Sequence, residues 1–343
     1  MNVEVENIKS LISLVANGSS LSEKQAEQAF DIIMSGNATA SQIGGFLMAL
    51  RVRGETVEEI TGAARSMRAK ATKIIAPAGA IDNVGTGGDG SGTYNISTAS
   101  SFVVSAAGVP VAKHGNRALS SKTGAADVLT ELGVNLDCEM ALVQSSIEEA
   151  GICFLMAPRH HTAMRHVATT RVELATRTVF NLLGPIANPA GVTRQLVGVF
   201  SESWVEPVAH VLKSLGSERA WVVHGSDGLD EITTTGITKV ASLEKGNVTV
   251  FDIDPTEAGI KIAKPEELRG GEPKQNAKAL LSVLNGEQNA YRDIVALNSA
   301  ACFMIAGKVQ SLSSGVSLAS EMIDSGKAHE KLKALKEITN RQV

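Results

Sequence analysis

Near residue 74 the sequence changes from helix-capping motifs to short β-rich runs, and this change limits the folds that the chain can adopt. Before that point, Ser or Thr is followed three residues later by Gln or Glu at 22–25, 39–42 and 56–59. In such a capping box, each side chain accepts a hydrogen bond from the other residue's backbone N–H, which predicts a helix start. Gly36 and Gly54 stand where two of these helices would end. The first 70 residues are therefore predicted to be helical.

After residue 74, short β-rich runs alternate with helix-like stretches. The β-rich runs are AIDNV, VPVAKHG, ICFLMAP, RQLVGVF and RAWVVHG. The helix-like stretches are 99–107, 123–132, 139–150 and 204–215. This alternation predicts a parallel or mixed sheet flanked by helices. We also expect a β-hairpin at 237–242 and 247–253, and a long Ala/Leu-rich helical pattern at 276–308.

The chain of 343 residues is long enough for two domains. We expect an α/β protein with a small all-helical domain, 1–72, and a larger α/β domain, 73–343, built on a mixed or parallel central sheet. Residues from about 160 to 185 are helical but interrupt the α/β alternation. They are expected to pack back onto the N-terminal helices, which would make the helical domain discontinuous.

Composition excludes several classes of protein. Hydrophobic residues make up 43% and charged residues 20%, which is typical of a globular protein with a sizeable core. The net charge of −4 argues against general affinity for nucleic acid or anionic membranes. No apolar run approaches the ~20 residues of a membrane span, and the acidic, amphipathic N-terminus does not resemble a signal peptide. Cys138, Cys153 and Cys302 lie far apart, which predicts reduced, mostly buried thiols and a cytoplasmic location.

The stretch 82–98, DNVGTGGDGSGTYNIST, is too rich in glycine for a stable helix or strand. Residues 85–90 fit GxGxxG, but a dinucleotide fold also requires an acidic residue about twenty positions later. Residues 90–126 contain no Asp or Glu. A Walker loop is excluded as well, because no Lys follows these glycines at the required position.

The acid-free window has a positive interpretation. Glycine N–H groups, neighbouring hydroxyls and unopposed cations would together suit a polyanion, and an apolar helix following the hydroxyls would add its dipole. The hydroxyls belong to Thr93, Ser97 and Thr98, and the cations are Lys113, His114, Arg117 and Lys122. The alternative is a glycine-rich turn beside a solvated basic loop.

Two further clusters of charged residues are candidates for binding a metal or a substrate. Asp230 and Glu231 are adjacent carboxylates after the strand-like RAWVVHG. Ligand sites of α/β sheets lie at such strand ends, and oxygen ligands of this kind suit Mg²⁺ bridging to substrate phosphates. The alternative is an acidic turn in solvent.

The second cluster is 158–171, PRHHTAMRHVATTR, which has no acidic residue. Its histidines lack the HExxH spacing of a catalytic zinc site. His161 and Arg165 share a helical face, and Arg171 is suited to a forked contact with a substrate carboxylate. A purely structural surface helix is the alternative.

These motifs in this order resemble anthranilate phosphoribosyltransferases. The matching segments are GTGGD at 85–89, NIST at 95–98, KHGNRALSSKTGAADVL at 113–129, RTVFNLLGPIANP at 177–189 and GLDEI at 228–232. The resemblance extends through GGEPKQNAKALL. It implies a helical domain hinged to an α/β domain, a homodimer, and transfer of phosphoribose from phosphoribosyl pyrophosphate (PRPP) to anthranilate with two Mg²⁺ ions.

The resemblance also implies residue roles. Asn116, Arg171 and Gly85 would bind anthranilate, with His114 and His161 lining its channel. Ser97 would contact one Mg²⁺, while Asp230 and Glu231 would hold the second. No acid–base residue is assigned, because an aromatic amine is already unprotonated near neutral pH. The residues implied to contact PRPP are Gly85, Gly88, Asp89, Thr93, Asn95, Ile96, Ser97, Thr98, Lys113, His114, Gly115, Asn116, Arg117, Ala118, Leu119, Ser120 and Ser121.

Three positions depart from the family pattern, and two rival functions remain. The family frequently has Ser where Ala118 and Ala125 stand, and Pro where Thr162 stands. A pyrimidine nucleoside phosphorylase shares the KHGNR-like loop but carries Lys-His-Ser ahead of its glycines, whereas residues 81–84 here are IDNV. A nucleic-acid-binding relative without activity would show a basic face and a damaged substrate site.

Overall fold

The N-terminal helices form as the capping boxes predict. A computed structural model describes residues 7–118 and 122–342 of the chain. Ser22 and Gln25, Thr39 and Gln42, and Thr56 and Glu59 make the reciprocal cap hydrogen bonds. The four helices are α1 Ile8–Ala16, α2 Glu23–Met34, α3 Ala40–Arg53 and α4 Val57–Ala69. The helical N-terminal domain is therefore confirmed.

A mixed seven-stranded sheet forms the centre of the rest of the chain. Its strands are β1 Ile81–Gly85, β2 Val111–Gly115, β3 Ile152–Met156, β4 Arg194–Gly198, β5 Arg219–Gly225, β6 Thr238–Glu244 and β7 Asn247–Ile253. Their order is β3-β2-β1-β4-β5-β6-β7. The first five strands are mutually parallel, and β6 and β7 pair antiparallel as a hairpin. The predicted mixed sheet and hairpin are confirmed.

Helices cover both faces of this sheet. They are α5 Ile96–Ala106, α6 Ala125–Glu131, α7 Met140–Ser145, α8 Ala157–His160, α9 Arg165–Leu174, α10 Phe180–Ile186, α11 Val205–Ser214, α12 Pro273–Leu284, α13 Ala290–Ala306, α14 Leu312–Asp324 and α15 Lys327–Thr339. Within residues 7–118 and 122–342, no helix has the length and apolar character needed to cross a bilayer.

The helical pattern expected at 276–308 is present and is divided by a short turn. Two helices, α12 and α13, occupy this region. Gly286 has a φ of 95°, a left-handed conformation that stops the first helix. The Asn289 side chain then accepts a hydrogen bond from the Arg292 N–H and begins the second.

The side chains of the strands alternate between two buried layers. Leu196 and Val223 belong to a core shared with α5, α13, α14 and α15. Val197 and Val222 face the opposite way, into a core shared with α11 and the N-terminal helices. Burial on both faces is typical of parallel strands. The three cysteines are buried and free, as expected.

The interrupting helices lie against the N-terminal ones. Gly44 of α3 is close enough to Thr170 of α9 that a β-carbon there would lie 3.6 Å from its methyl group. The Phe180 ring of α10 packs edge-on against Phe30 of α2, with centroids 5.5 Å apart. These contacts favour the discontinuous helical domain, whose boundaries stay a prediction.

Candidate active site

The glycine-rich loop and the loop after β2 lie at the carboxyl edge of the parallel strands. β1 ends at Gly85, β2 at Gly115 and β4 at Gly198, and parallel strands place these ends at one edge. α5 begins at Ile96, so Ser97 and Thr98 lie within its first turn rather than before it. Because the first turn of a helix carries unpaired N–H groups, it is suited to a negative partner.

Asp230 lies against glycine backbone at this edge. A β-carbon at Gly198 would overlap the Asp230 carbonyl oxygen, and one at Gly85 would overlap its carboxylate. The N–H of Gly87 donates a hydrogen bond to Asp230 Oδ2 at 2.6 Å. The glycines therefore serve two purposes, since they let the acidic segment approach the loop and leave an N–H free to hold its carboxylate.

Glu231 is held from the helix side. Its Oε1 accepts a hydrogen bond from the Ser97 N–H at 3.1 Å. Behind it, the buried Asn298 of α13 accepts from the Ile232 N–H at 3.0 Å and donates to the Ile232 carbonyl at 2.8 Å. Both carboxylates are only 8% exposed. The two carboxylates therefore form a buried, positioned pair, and the alternative of an acidic turn in solvent is wrong.

Burial disfavours the ionised form of both carboxylates. It raises the pKa of Asp230, and the nearby Asp89 raises it further. Burial also raises the pKa of Glu231, and the charge of Asp230 raises it further. A cation bound between the two groups would stabilise their ionised forms, so this position suits a cation.

Lys113 is not an unopposed cation, and that expectation is wrong. It lies on β2 rather than in a loop and is 3% exposed. Its Nζ donates to the Asn83 carbonyl at 2.6 Å and to Ser97 Oγ at 3.2 Å. Burial lowers the pKa of Lys113, and the charges of Asp82 and Glu231 oppose this. The acidic partners come from other strands and loops, which the acid-free window at 90–126 does not reveal.

His114 is also not a cation. Its Nδ1 lies 2.9 Å from the Gly184 carbonyl, which only accepts, so Nδ1 carries the proton. Burial lowers the pKa of His114 to about 3 and that of His161 to about 4. The two rings meet edge to face at 5.1 Å. Nε2 of His114 and both ring nitrogens of His161 are buried without a hydrogen-bond partner among the described residues. The structure thus brings these two predicted channel residues together as neutral rings.

The loop after β2 is tied at its base by Asp127. This carboxylate accepts from the Ala118 N–H at 3.0 Å and the Gly124 N–H at 2.9 Å, and pairs with Arg117 at 3.3 Å. Arg117 is thus neutralised by an acid one residue beyond the acid-free window. The predicted contacts Leu119, Ser120 and Ser121 lie outside the described residues.

Arg171 lies with the helical part of the molecule. Its guanidinium is 5.4 Å from the centre of the Phe180 ring. Burial lowers the pKa of Arg171, and no charge from the described residues opposes this. A half-buried guanidinium without a carboxylate partner is available for a substrate carboxylate.

The donor set at the carboxyl edge fits a hard cation shared with a substrate. Asp230, Glu231 and Ser97 supply only oxygen donors. Among residues 7–118 and 122–342, no group of three or more His, Cys, Asp or Glu side chains is arranged to hold a metal by itself. Mg²⁺ commonly uses one or two carboxylates together with substrate phosphates, so two carboxylates beside a phosphate loop are sufficient.

Comparison with known proteins gives one consistent assignment. A glycosyl transferase family α/β-domain model matches residues 78–329, and a helical bundle domain model of that family matches residues 9–71. An anthranilate phosphoribosyltransferase of Paramagnetospirillum magneticum is 63% identical over 97% of this chain and 96% of its own length. The chain belongs to the anthranilate phosphoribosyltransferase family.

Solved structures of this family have the same fold. The Thermus thermophilus anthranilate phosphoribosyltransferase superposes with a TM-score of 0.92, at 43% identity over 96% of this chain and 99% of that one. The Saccharomyces cerevisiae enzyme, solved in complex with PRPP and Mg, has a TM-score of 0.88 at 28% identity, covering 98% and 99% of the two chains.

Sequence reasoning missed several residues that shape the site of this family member. Arg177 donates to the Gly88 carbonyl and lies 4.4 Å over the Phe200 ring, although only its motif was recognised. Asp127 and Asn298 were missed because each acts on backbone groups of another segment. A signal existed only for Asp127, which stands three residues after Gly124 at capping-box spacing.

Proposed function

We propose that the chain transfers the phosphoribosyl group of PRPP to the amine of anthranilate, giving N-(5-phosphoribosyl)anthranilate and pyrophosphate in tryptophan biosynthesis. The observation that carries this proposal is the buried Asp230–Glu231 pair, held against the glycine loop and the first turn of α5. The named relatives support it across nearly the whole chain. A phosphorylase or a nucleic-acid-binding protein is not favoured.

PRPP is proposed to lie across the glycine loop, the first turn of α5 and the loop after β2. The glycine N–H groups and the helix dipole would stabilise its phosphates. As pyrophosphate leaves C1 of the ribose, positive charge develops on the sugar and negative charge on the leaving group. When bound there, Mg²⁺ would offset the charge of the leaving group. Asp230 and Glu231 would hold one ion and Ser97 would contact a second, and the count of two rests on the family pattern.

Anthranilate is proposed to be held by its carboxylate at Arg171, with Asn116 and Gly85 nearby. The rings of His114 and His161 are neutral and pack edge to face, so they suit contact with an aromatic ligand. Because they carry no charge, they would not compete with Arg171 for the carboxylate of that ligand. The amine needs no strong base because it is unprotonated near neutral pH. Positioning it toward C1 therefore contributes much of the rate, and closure of the two domains would exclude water.

A homodimer and a cytoplasmic location are also proposed. Val52 of α3 is 82% exposed and Val172 of α9 is 78% exposed. These helices pack against each other, so two large apolar side chains stand on one helical unit. We propose that Val52 and Val172 belong to one apolar patch at the interface between two copies of the chain, because contiguous exposed apolar surface marks such interfaces. Val52→Glu with Val172→Glu is expected to give a monomer by analytical ultracentrifugation, and an unchanged mass would contradict this interface.

The proposed reaction is tested by the fluorescence of anthranilate. With PRPP and Mg²⁺ present, purified enzyme is expected to convert anthranilate, so that the anthranilate fluorescence decreases. Without PRPP, or without Mg²⁺, the fluorescence is expected to stay constant. Uridine with phosphate serves as a control for phosphorolysis and is expected to give no uracil. Turnover of uridine without turnover of anthranilate would overturn the proposal in favour of the phosphorylase.

A further inference from the structure

Residues 268–276, here called the strap, cross the glycine-rich side of the site. The Tyr94 N–H donates to the Leu268 carbonyl at 3.0 Å, and the Gly270 N–H donates to the Gly92 carbonyl at 2.9 Å. Between these bonds Thr93 and Arg269 face each other as an antiparallel bridge. The strap therefore adds a short piece of sheet to the segment that joins the glycine loop to α5.

The same strap contacts the other phosphate loop. The Thr123 hydroxyl donates to the Gly271 carbonyl at 2.6 Å. Thr123 adjoins Gly124, whose N–H is bound by Asp127 at the base of the loop after β2. A single segment thus contacts both loops proposed to hold PRPP, although 148 residues of chain separate Gly271 from Thr123.

Asn276 locks the strap in place. Its Oδ1 accepts from the Gly271 N–H at 2.8 Å, and its Nδ2 donates to Asn95 Oδ1 at 3.0 Å. The side chain is 2% exposed. A β-carbon at Gly270 would lie 2.6 Å from the Thr93 carbonyl oxygen and 2.9 Å from Asn276 Nδ2, so only glycine permits this approach.

The support continues behind Asn95. The Tyr291 hydroxyl donates to the Asn95 carbonyl at 3.0 Å, and its ring stacks on Tyr94 at 4.5 Å. Asn95 immediately precedes α5, whose Ser97 N–H holds Glu231. The Asn276 amide therefore contacts a residue, Asn95, that lies two positions before Ser97, whose N–H holds Glu231.

We propose that Asn276 is a positioning residue for PRPP, which fixes the spacing between the segment 92–95 and the loop after β2 through the strap. This inference rests on the proposed function. Asn276 acts through backbone and side-chain groups of other residues and not on the reacting atoms. Its loss leaves the partly buried Gly271 N–H and Asn95 side chain without these partners, so the loops lose part of their preorganisation.

The test compares Asn276→Ala and Asn276→Asp with Val283→Ala. Val283 is a fully buried residue of the same helix, and it lies in the apolar core. Asn276→Ala is expected to raise the KM for PRPP, and its Kd by calorimetry with Mg²⁺, by about tenfold. Asn276→Asp keeps the acceptor but loses the donor and is expected to raise both by a similar factor. The KM for anthranilate at saturating PRPP is expected to stay within about twofold. Val283→Ala is expected to lower the melting temperature with an unchanged KM for PRPP.

Two results would overturn the positioning role: unchanged PRPP constants in both Asn276 variants, or an equal rise in Val283→Ala. Hydrogen exchange on the unmodified enzyme gives a second measurement should the variants not fold. PRPP with Mg²⁺ is expected to slow exchange at residues 268–276, whereas anthranilate alone is not, and unchanged exchange in the strap would also overturn the role. PRPP binding without any turnover of anthranilate would instead count against the proposed reaction and leave the strap testable by calorimetry.

Discussion

The carbonyl oxygen of Asp230 occupies the space that a side chain at Gly198 would need. Gly198 is the last residue of β4 and pairs in parallel register with Gly85, the last residue of β1. Two neighbouring strands therefore end in glycine where the acidic segment crosses them. The absence of two β-carbons determines how deeply the Asp230–Glu231 pair sits against the glycine loop.

Gly198→Ala is expected to displace Asp230 and remove most of the activity. The overlap is with backbone, which cannot rotate away, so the free energy of unfolding is also expected to fall by about 2–4 kcal/mol. Gly45→Ala is the matched control, because a β-carbon there meets nothing within 4 Å and Gly45 lies inside α3. That change is expected to be neutral or to stabilise by up to about 1 kcal/mol. Steady-state rates and urea unfolding test both, and full activity of Gly198→Ala would contradict the account.

Asp230→Asn combined with Glu231→Gln is expected to abolish the Mg²⁺ dependence of turnover and to lower kcat by about 10²–10³-fold. The amides keep the shape of the side chains but remove the charge that would attract the cation. The measurement is the initial rate over an Mg²⁺ titration. Asp254→Asn with Glu257→Gln, which changes exposed residues in a turn after β7, is the control and is expected to titrate as the unmodified enzyme does. A normal Mg²⁺ curve in the double active-site variant would contradict the metal role.

Arg171→Ala is expected to raise the KM for anthranilate by at least about tenfold and the KM for PRPP by less than about twofold, because the lost group is a forked partner for a carboxylate. Arg171→Lys keeps the positive charge but cannot make the forked contact, so its KM for anthranilate is expected to lie between those of the unmodified enzyme and Arg171→Ala. Arg165→Ala removes an exposed arginine of the same helix and serves as the control. Equal effects of Arg171→Ala on both substrates would sink the assigned role.

The contribution of His114 and His161 to the free energy of unfolding is expected to decrease as pH falls below about 6.5. His114 and His161 have folded pKa values of about 3 and about 4, so the unfolded state binds more protons between pH 4 and 6.5. The stabilisation by these histidines is complete above their pKa in the unfolded state. It is lost as pH falls toward their pKa in the folded state. Burial raises the pKa of the carboxyls of Asp82, Asp230 and Glu231, and these three groups act in the opposite direction.

A comparison of variants isolates the histidine contribution from that of the three carboxyls. His161→Phe removes one depressed histidine and leaves the three carboxyls in both proteins. Urea unfolding from pH 7.5 to pH 5 is expected to show a slope flatter by up to about 1.4 kcal/mol per pH unit in the variant. Identical slopes would mean that His161 protonates as easily in the folded protein as in the unfolded one.

Much of the site was predictable where its signals are short in sequence. Residue type alone points to the glycine loop, to the acidic pair and to Arg171. The order of the motifs indicates the family. The charge state of the site was not predictable in this way. Lys113 and His114 counted as free cations in the sequence, yet Asp82, Glu231 and burial neutralise or discharge them. A window of sequence shows the charges along one segment, whereas a titration depends on whatever the fold packs around that segment.

The amino-acid sequence by itself determined the helices of the first 70 residues, the strand–helix alternation and the glycine at the end of β1, β2, β4 and β5. These features depend on groups a few residues apart, because caps, periodicity and left-handed turns are satisfied locally. Only the tertiary structure decided that Asn276 would reach Asn95, that Asn298 would hold the peptide beside Glu231, and that Asp230 would rest on Gly198. Each of these contacts joins segments far apart in the chain, and it exists because burying both faces of the sheet brings those segments to one edge.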